Sequence, residues 1–223
     1  MTVAGLVLAA GAGRRLGRPK ALLDWDGEPL LRRAVRLLHL GGCDPVHAVV
    51  GAGAGRLPAL PGAVPVVNPR WRDGLGGSLL RGLDSLPDVA DAVVVVLVDQ
   101  PWLTPAAVRR VRAAYAAGAV VAVAGYAGRP GHPVLLSRAT WPLVVPYATG
   151  DRGARDFLRA RADLVTVVPC DGSPADVDTP ADLARMHPRP SRPFPDRRAM
   201  SPATPQTSAD PRSSPQVRRG RPR

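Results

Sequence analysis

Residues Ala92-Val-Val-Val-Val-Leu-Val98 form an unbroken, β-branched apolar run that ends on Asp99-Gln100-Pro101. A strand that is apolar at every position has no face to give to water. It needs cover on both sides, which a layered α/β sheet supplies. Val3–Leu8, Val46–Val50, Val64–Val67, Ala119–Ala124 and Leu164–Val168 have the same character and read as further buried parallel strands. Between them Pro29–Leu40, Ser78–Leu86, Pro105–Ala117 and Arg152–Ala162 show helical spacing, several opening on an acidic residue, Thr or Pro. This alternation predicts a doubly wound α/β sheet. Gly131-His132-Pro133-Val134-Leu135-Leu136 reads as a turn feeding one antiparallel addition.

In such sheets ligands bind beyond the carboxyl ends of the strands, so the residues just after each apolar run are the candidates. The first run delivers Leu8-Ala-Ala-Gly-Ala-Gly-Arg-Arg-Leu-Gly-Arg-Pro-Lys20, with glycines at 11, 13 and 17. Lys20 is the only lysine among 30 lysines and arginines. A compact ammonium beside a glycine-rich turn suits a phosphate held by backbone amides, and strand, glycine loop and helix in that order form a phosphate-binding unit. Leu16 stands where a dinucleotide fingerprint needs its third glycine, and Lys20 lies between Pro19 and Ala21, so the loop is not a P-loop either.

Other candidates follow the later runs. Asp99, at the end of the strongest strand, suits a magnesium ligand shared with nucleotide phosphates, although Asp and Pro also commonly end strands. Asn68-Pro-Arg-Trp-Arg-Asp-Gly-Leu-Gly-Gly-Ser78 offers backbone amides and a hydroxyl, and Ser78 serves equally as the N-cap of the next helix. Asp178-Thr179-Pro180-Ala181-Asp182 has the pattern of a capping box with Pro at the first helical position. Asp151 in Thr149-Gly-Asp-Arg-Gly-Ala-Arg155 reads as a helix cap.

Leu8-Ala-Ala-Gly-x-Gly-x-Arg-x-Gly-x-Pro-Lys20-x-Leu-Leu23 closely resembles the signature loop of the MobA-like nucleotidyltransferases, and within them most the molybdenum-cofactor cytidylyltransferases. The resemblance spans Leu6 to Met186. It departs at Arg56–Gly62, where a proline-bounded stub replaces a longer helix. It implies a Rossmann-like three-layer α/β/α domain whose loop, with Leu8, Ala9, Ala10, Gly11 and Gly13, wraps the triphosphate of an NTP. Arg15 and Lys20 would then lie on the phosphates. Asp99 and Asp178 would hold Mg²⁺, with the role of Asp176 open. Asn68, Gly74 and Ser78 would contact base and ribose, and His132, Asp151 and Arg155 the acceptor. The implied reaction moves a nucleoside monophosphate, CMP from CTP, to a phosphorylated acceptor, molybdopterin, and releases pyrophosphate. A molybdoenzyme or its chaperone is the implied protein partner. Two alternatives stay open: a related transferase with a sugar, polyol or phospholactate-type phosphate as acceptor, and a nucleotide-binding partner protein without turnover.

Composition sets the remaining bounds. Residues 187–223 hold nine prolines, nine arginines and two acids, and contribute +7 of the net +12. Such a segment has too little apolar surface to offset its ordering entropy, so 1–186 is expected to be the domain and 187–223 a disordered, solvated tail. The tail has no aromatic interleaving and no nucleic-acid motif, which argues against nucleic acid as partner. Cys43 and Cys170 match no metal spacing and form no disulfide framework. No basic region precedes the apolar start, as a signal peptide requires, and no apolar run reaches the ~18 residues of a membrane span, so a cytoplasmic location is expected.

Overall fold

The computed structural model describes residues 1–57 and 59–186. The expected tail lies outside the described residues. The elements, in chain order, are β1 (Val3–Ala9), β2 (Asp24–Trp25), β3 (Glu28–Pro29), α1 (Leu30–Leu40), β4 (Val46–Val50), β5 (Ala63–Val67), α2 (Leu75–Asp84), β6 (Ala92–Leu97), α3 (Pro105–Ala116), β7 (Val121–Tyr126), β8 (Arg129–Ser137), α4 (Trp141–Val144), α5 (Arg155–Ala160), β9 (Val165–Pro169) and α6 (Pro180–Met186). Seven strands form one sheet in the order β5-β4-β1-β6-β8-β7-β9. All neighbours pair in parallel except β8, which is antiparallel to both β6 and β7. The expected α/β fold, mostly parallel with one antiparallel addition, is what the chain adopts.

The sheet is covered on both faces because its central strands are apolar at every position. Val3, Val7 and Ala9 of β1 and Val94 and Val96 of β6 join Leu31, Val35 and Leu38 of α1 and Val108 and Val111 of α3 in one core layer. Ala4, Leu6 and Leu8 of β1 and Val93 and Val95 of β6 join Leu79 and Leu83 of α2, Val144 of α4 and Phe157 of α5 in the other. Each fully buried Val, Leu or Phe side chain contributes about 1.5–3 kcal/mol of transfer free energy, so these two layers hold β1 and β6 firmly. Their carboxyl ends are the rigid parts of the site.

Several expectations need correction. No helix follows the glycine loop directly: two 3-10 turns (Arg14–Leu16 and Lys20–Leu22) and the β2–β3 hairpin intervene before α1. The loop's phosphate-binding capacity therefore owes nothing to a helix dipole. The helix expected at 78–86 begins at Leu75, so Ser78 is inside it and does not cap it. The helix expected at 152–162 shortens to α5, and Asp151 sits in a separate 3-10 turn, Gly150–Arg152, without capping α5. β5 is an edge strand with Val64 and Val67 about half exposed, and it tolerates Pro65 for that reason. β9 closes the opposite edge, with Val167 exposed.

Candidate active site

β1 and β6 are hydrogen-bonded neighbours running the same way, so Leu8 and Leu97 pair, and the segments that follow them leave the sheet side by side. The chain after β1 bends back at Gly13, which has φ +61°. A Cβ there would lie 2.0 Å from the Arg18 carbonyl oxygen, so only glycine allows the loop to close on itself. Leu16 N donates to Gly13 O at 2.9 Å and Leu23 N to Lys20 O at 3.0 Å. Ala21 and Leu23 are buried in the core and anchor the turn that presents Lys20.

Lys20 meets both candidate carboxylates. Its Nζ donates to Asp99 Oδ2 at 2.6 Å and also to Asp178 Oδ1. Arg15 Nη2 donates to Asp178 Oδ2 at 3.0 Å. Burial by itself lowers the Lys20 pKa, but the charge of Asp99 and the hydrogen bonds to both carboxylates outweigh it and raise the ammonium above its ordinary range. Asp178 is held below the usual carboxylate range, first by the Lys20 hydrogen bond and then by the charges of Lys20 and Arg15, against its own desolvation.

Asp178 reaches this point from a distant part of the chain. Val177, fully buried, donates its N–H to Asp99 O at 2.8 Å, which lays the segment before α6 along the end of β6. The capping box forms as the sequence predicts: Thr179 N donates to Asp182 Oδ2 at 2.8 Å and Asp182 N to Thr179 Oγ1 at 3.2 Å. Asp178 N also reaches Asp182 Oδ2, at 3.1 Å. Asp176 accepts from Gln100 Nε2 at 2.9 Å. Its carboxyl is raised by desolvation and by repulsion from Asp99.

A cleft of about 350 Å³ opens over this cluster. Leu8, Ala9, Ala10, Gly11, Gly13, Arg15, Lys20, Gly74, Ser78, Asp99, Asp151 and Asp178 all line it. Three sequence candidates do not. Asn68 lies behind Ser78, donating from Nδ2 to Ser78 Oγ at 3.1 Å and accepting from Arg70 N at 3.0 Å, and it faces a neighbouring cleft of about 670 Å³. His132 and Arg155 stand outside the lining but within electrostatic range of each other, and His132 is also within range of Asp99. Desolvation pushes the His132 imidazole down to about 4, with the Arg155 charge adding to the shift and Asp99 opposing it. His132 is therefore neutral at pH 7. Arg14 and Trp71 line the cleft without having been singled out. Trp71 follows the Asn68-Pro-Arg segment, and its ring carries the Arg72 guanidinium 4.4 Å from the centroid.

The residues fit a divalent cation. Asp99 and Asp178 converge on one point, where they hold the Lys20 ammonium, and among the described residues the buried Asp99 Oδ1 has no donor. Among the described residues no three His, Cys, Asp or Glu form a metal cluster. A metal here would complete its shell with phosphate oxygens and water, as Mg²⁺ habitually does. Backbone turns, two cations and two carboxylates around one cleft are suited to binding a polyphosphate with its metal.

Residues 5–167 match the family described as the MobA-like NTP transferase domain. The chain is 38% identical over 200 residues to a nicotine blue oxidoreductase of Paenarthrobacter nicotinovorans, covering 82% of this chain and 96% of that protein. It is 34% identical over 196 residues to a molybdenum cofactor guanylyltransferase of Rhodobacter capsulatus, covering 85% and 97%. Among solved structures, Rv0371c of Mycobacterium tuberculosis superposes with a TM-score of 0.75 at 31% identity, covering 83% of this chain and 97% of that one. Its manganese complex superposes at 0.70, with 29% identity and 83% and 98% coverage. With the sheet order, the glycine loop and this match in hand, the chain belongs to the MobA-like NTP transferase family of nucleotidyltransferases.

Proposed function

We propose that this nucleotidyltransferase transfers CMP from CTP to the terminal phosphate of molybdopterin, with Mg²⁺ as cofactor and pyrophosphate as the leaving group, in the cytoplasm. The observation that carries the reading is the meeting of Lys20, Asp99 and Asp178 in one cleft beside the Gly11–Gly17 loop. The relative that acts as a molybdenum cofactor guanylyltransferase supports the acceptor. Ala10, in the Leu8-Ala-Ala-Gly11 opening that carries the resemblance to the cytidylyltransferases, supports the base. No helix among the described residues is long and apolar enough to cross a membrane.

In this mechanism Asp99 and Asp178 hold the metal. Bound Mg²⁺ supplies Lewis-acid neutralisation of the phosphate oxygens. Lys20 and Arg15 leave their carboxylate partners for the β- and γ-phosphates and stabilise the charge that grows on pyrophosphate. Gly11 and Gly13 let the backbone approach the triphosphate, while Asn68, Gly74 and Ser78 form the base and ribose side. His132, neutral at pH 7, Asp151 and Arg155 receive the acceptor, Arg155 as a bidentate phosphate partner. The bond from the α-phosphorus to its bridging oxygen breaks as an oxygen of the acceptor phosphate bonds to that phosphorus. The attacking oxygen is already anionic, so no general base is required. The domain is taken as 1–186, with a molybdoenzyme or its chaperone as the recipient of product.

A second reading has an observation of its own. The relative named nicotine blue oxidoreductase is matched over 96% of its length, which favours oxidoreductase chemistry on nicotine blue in the same cleft. One panel separates the readings: pyrophosphate release from each of four NTPs with and without molybdopterin, beside nicotine blue reduction with a reduced nicotinamide nucleotide. Release that requires CTP and molybdopterin supports the proposal. Release with GTP instead overturns the base assignment, and reduction without release supports the second reading.

A further inference from the structure

The segment carrying Asp178 runs from Cys170 to Thr179 without regular secondary structure. A metal pair needs its two carboxylates held to fractions of an ångström, and a loop supplies that only through ties to a rigid element. The ties here go to one place. Gln100 Nε2 donates to Pro174 O at 3.0 Å and to Asp176 Oδ1 at 2.9 Å, and Val177 N donates to Asp99 O at 2.8 Å. The residue after Asp99 thus grips the loop two and four residues before Asp178.

We infer that Gln100, with Asp176 as its acceptor, is a positioning residue that sets the separation of Asp99 and Asp178. This rests on the reading of those two aspartates as the metal pair. Gln100 is only 8% exposed, and its buried Oε1 has no partner among the described residues. The amide's work is therefore done by Nε2, whose donors serve the two loop acceptors. The facing acceptors, a main-chain carbonyl and a carboxylate, also fix which end of the amide points at the loop. Asp176 turns its Oδ1 to Gln100, and among the described residues no third acid joins Asp99 and Asp178 in a metal cluster. Its place is in the clamp and not on the metal.

The test measures Mn²⁺ affinity by EPR in the presence of a non-hydrolysable CTP analogue, with thermal unfolding as the check on folding. Gln100→Leu and Asp176→Ala are expected to weaken Mn²⁺ binding about tenfold or more, the range for partners that orient metal ligands. Asp176→Asn keeps an oxygen that accepts from Gln100 and stays within about twofold of wild type, whereas Asp99→Asn and Asp178→Asn lose the metal outright. If Gln100→Leu does not fold, Asp176→Ala decides. Wild-type affinity in Gln100→Leu and Asp176→Ala overturns the inference, as does an Asp176→Asn variant as weak as Asp178→Asn, which makes Asp176 a ligand. Wild-type affinity in every variant, Asp99→Asn and Asp178→Asn included, overturns the metal reading and the positioning role with it.

Discussion

Gly74→Ala probes how the cleft wall is built. Gly74 precedes α2 with φ +106°, and a Cβ there would lie 2.4 Å from the carbonyl carbon and oxygen of Gly150 and 2.9 Å from Asp151 N. These are main-chain atoms, so no side chain can swing aside. Ordinary contact begins near 3.4 Å, and the Gly150–Asp151 turn must retreat by about 1 Å. Backbone strain at this φ costs about 1–3 kcal/mol and overpacking about as much again. A loss near 4 kcal/mol lowers Tm by about 10 °C in a domain of this size. Gly77→Ala, three residues on and inside α2, is the control: among the described residues nothing lies within 4 Å of its Cβ, and its φ is not positive. There alanine is expected to gain about 0.5–1 kcal/mol. Urea unfolding followed by circular dichroism gives both values. A Gly74→Ala variant within about 0.5 kcal/mol of wild type would refute the packing argument.

Lys20→Ala is expected to lower kcat at least about a hundredfold while the circular dichroism spectrum stays native; a smaller loss in a pyrophosphate-release assay removes Lys20 from the phosphate site. Thr179→Ala breaks the capping box and is expected to cost about 1 kcal/mol, read by urea unfolding. Stability should follow pH with a definite sign. Asp178, lowered, stabilises above the unfolded carboxylate pKa of 3.8 and loses that contribution as pH falls through its folded value; Lys20, raised, contributes below 10.5 and loses it as pH rises further. His132, lowered from 6.5 to about 4, contributes above 6.5 and loses it as pH falls toward 4. Unfolding free energies at pH 7 and pH 4.5 should therefore converge in His132→Gln more than in wild type, and an unchanged difference contradicts the assignment.

The apolar run at 92–98 and the glycine loop made most of this legible, because a strand buried on both faces fixes the architecture and the residues just past its end fix the site. β6 stops one residue short of the expected end, and Pro105 starts α3 as read, with Thr104 Oγ1 before it accepting from Ala107 N. Asp178 was legible only as a capping neighbour and through the family resemblance, since its approach to Asp99 depends on tertiary ties that no spacing encodes. The start of α2 was misplaced because Gly74-Leu-Gly-Gly has poor helix propensity, and packing against Ala148–Asp151 overrides it. Gly74 and Gly76 are there for close approach to another backbone. Trp71 was missed for a similar reason: its lining position comes from packing on Gly51, remote in sequence.

The central claim, that Asp99, Asp178 and Lys20 form one metal–triphosphate site, is tested most directly by anomalous diffraction at the manganese edge from crystals grown with Mn²⁺ and a non-hydrolysable CTP analogue. The account predicts a peak bridging Asp99 and Asp178, with the triphosphate along residues 11–20 and Lys20 Nζ turned onto it. A peak elsewhere, with Lys20 still between the two carboxylates, would contradict it.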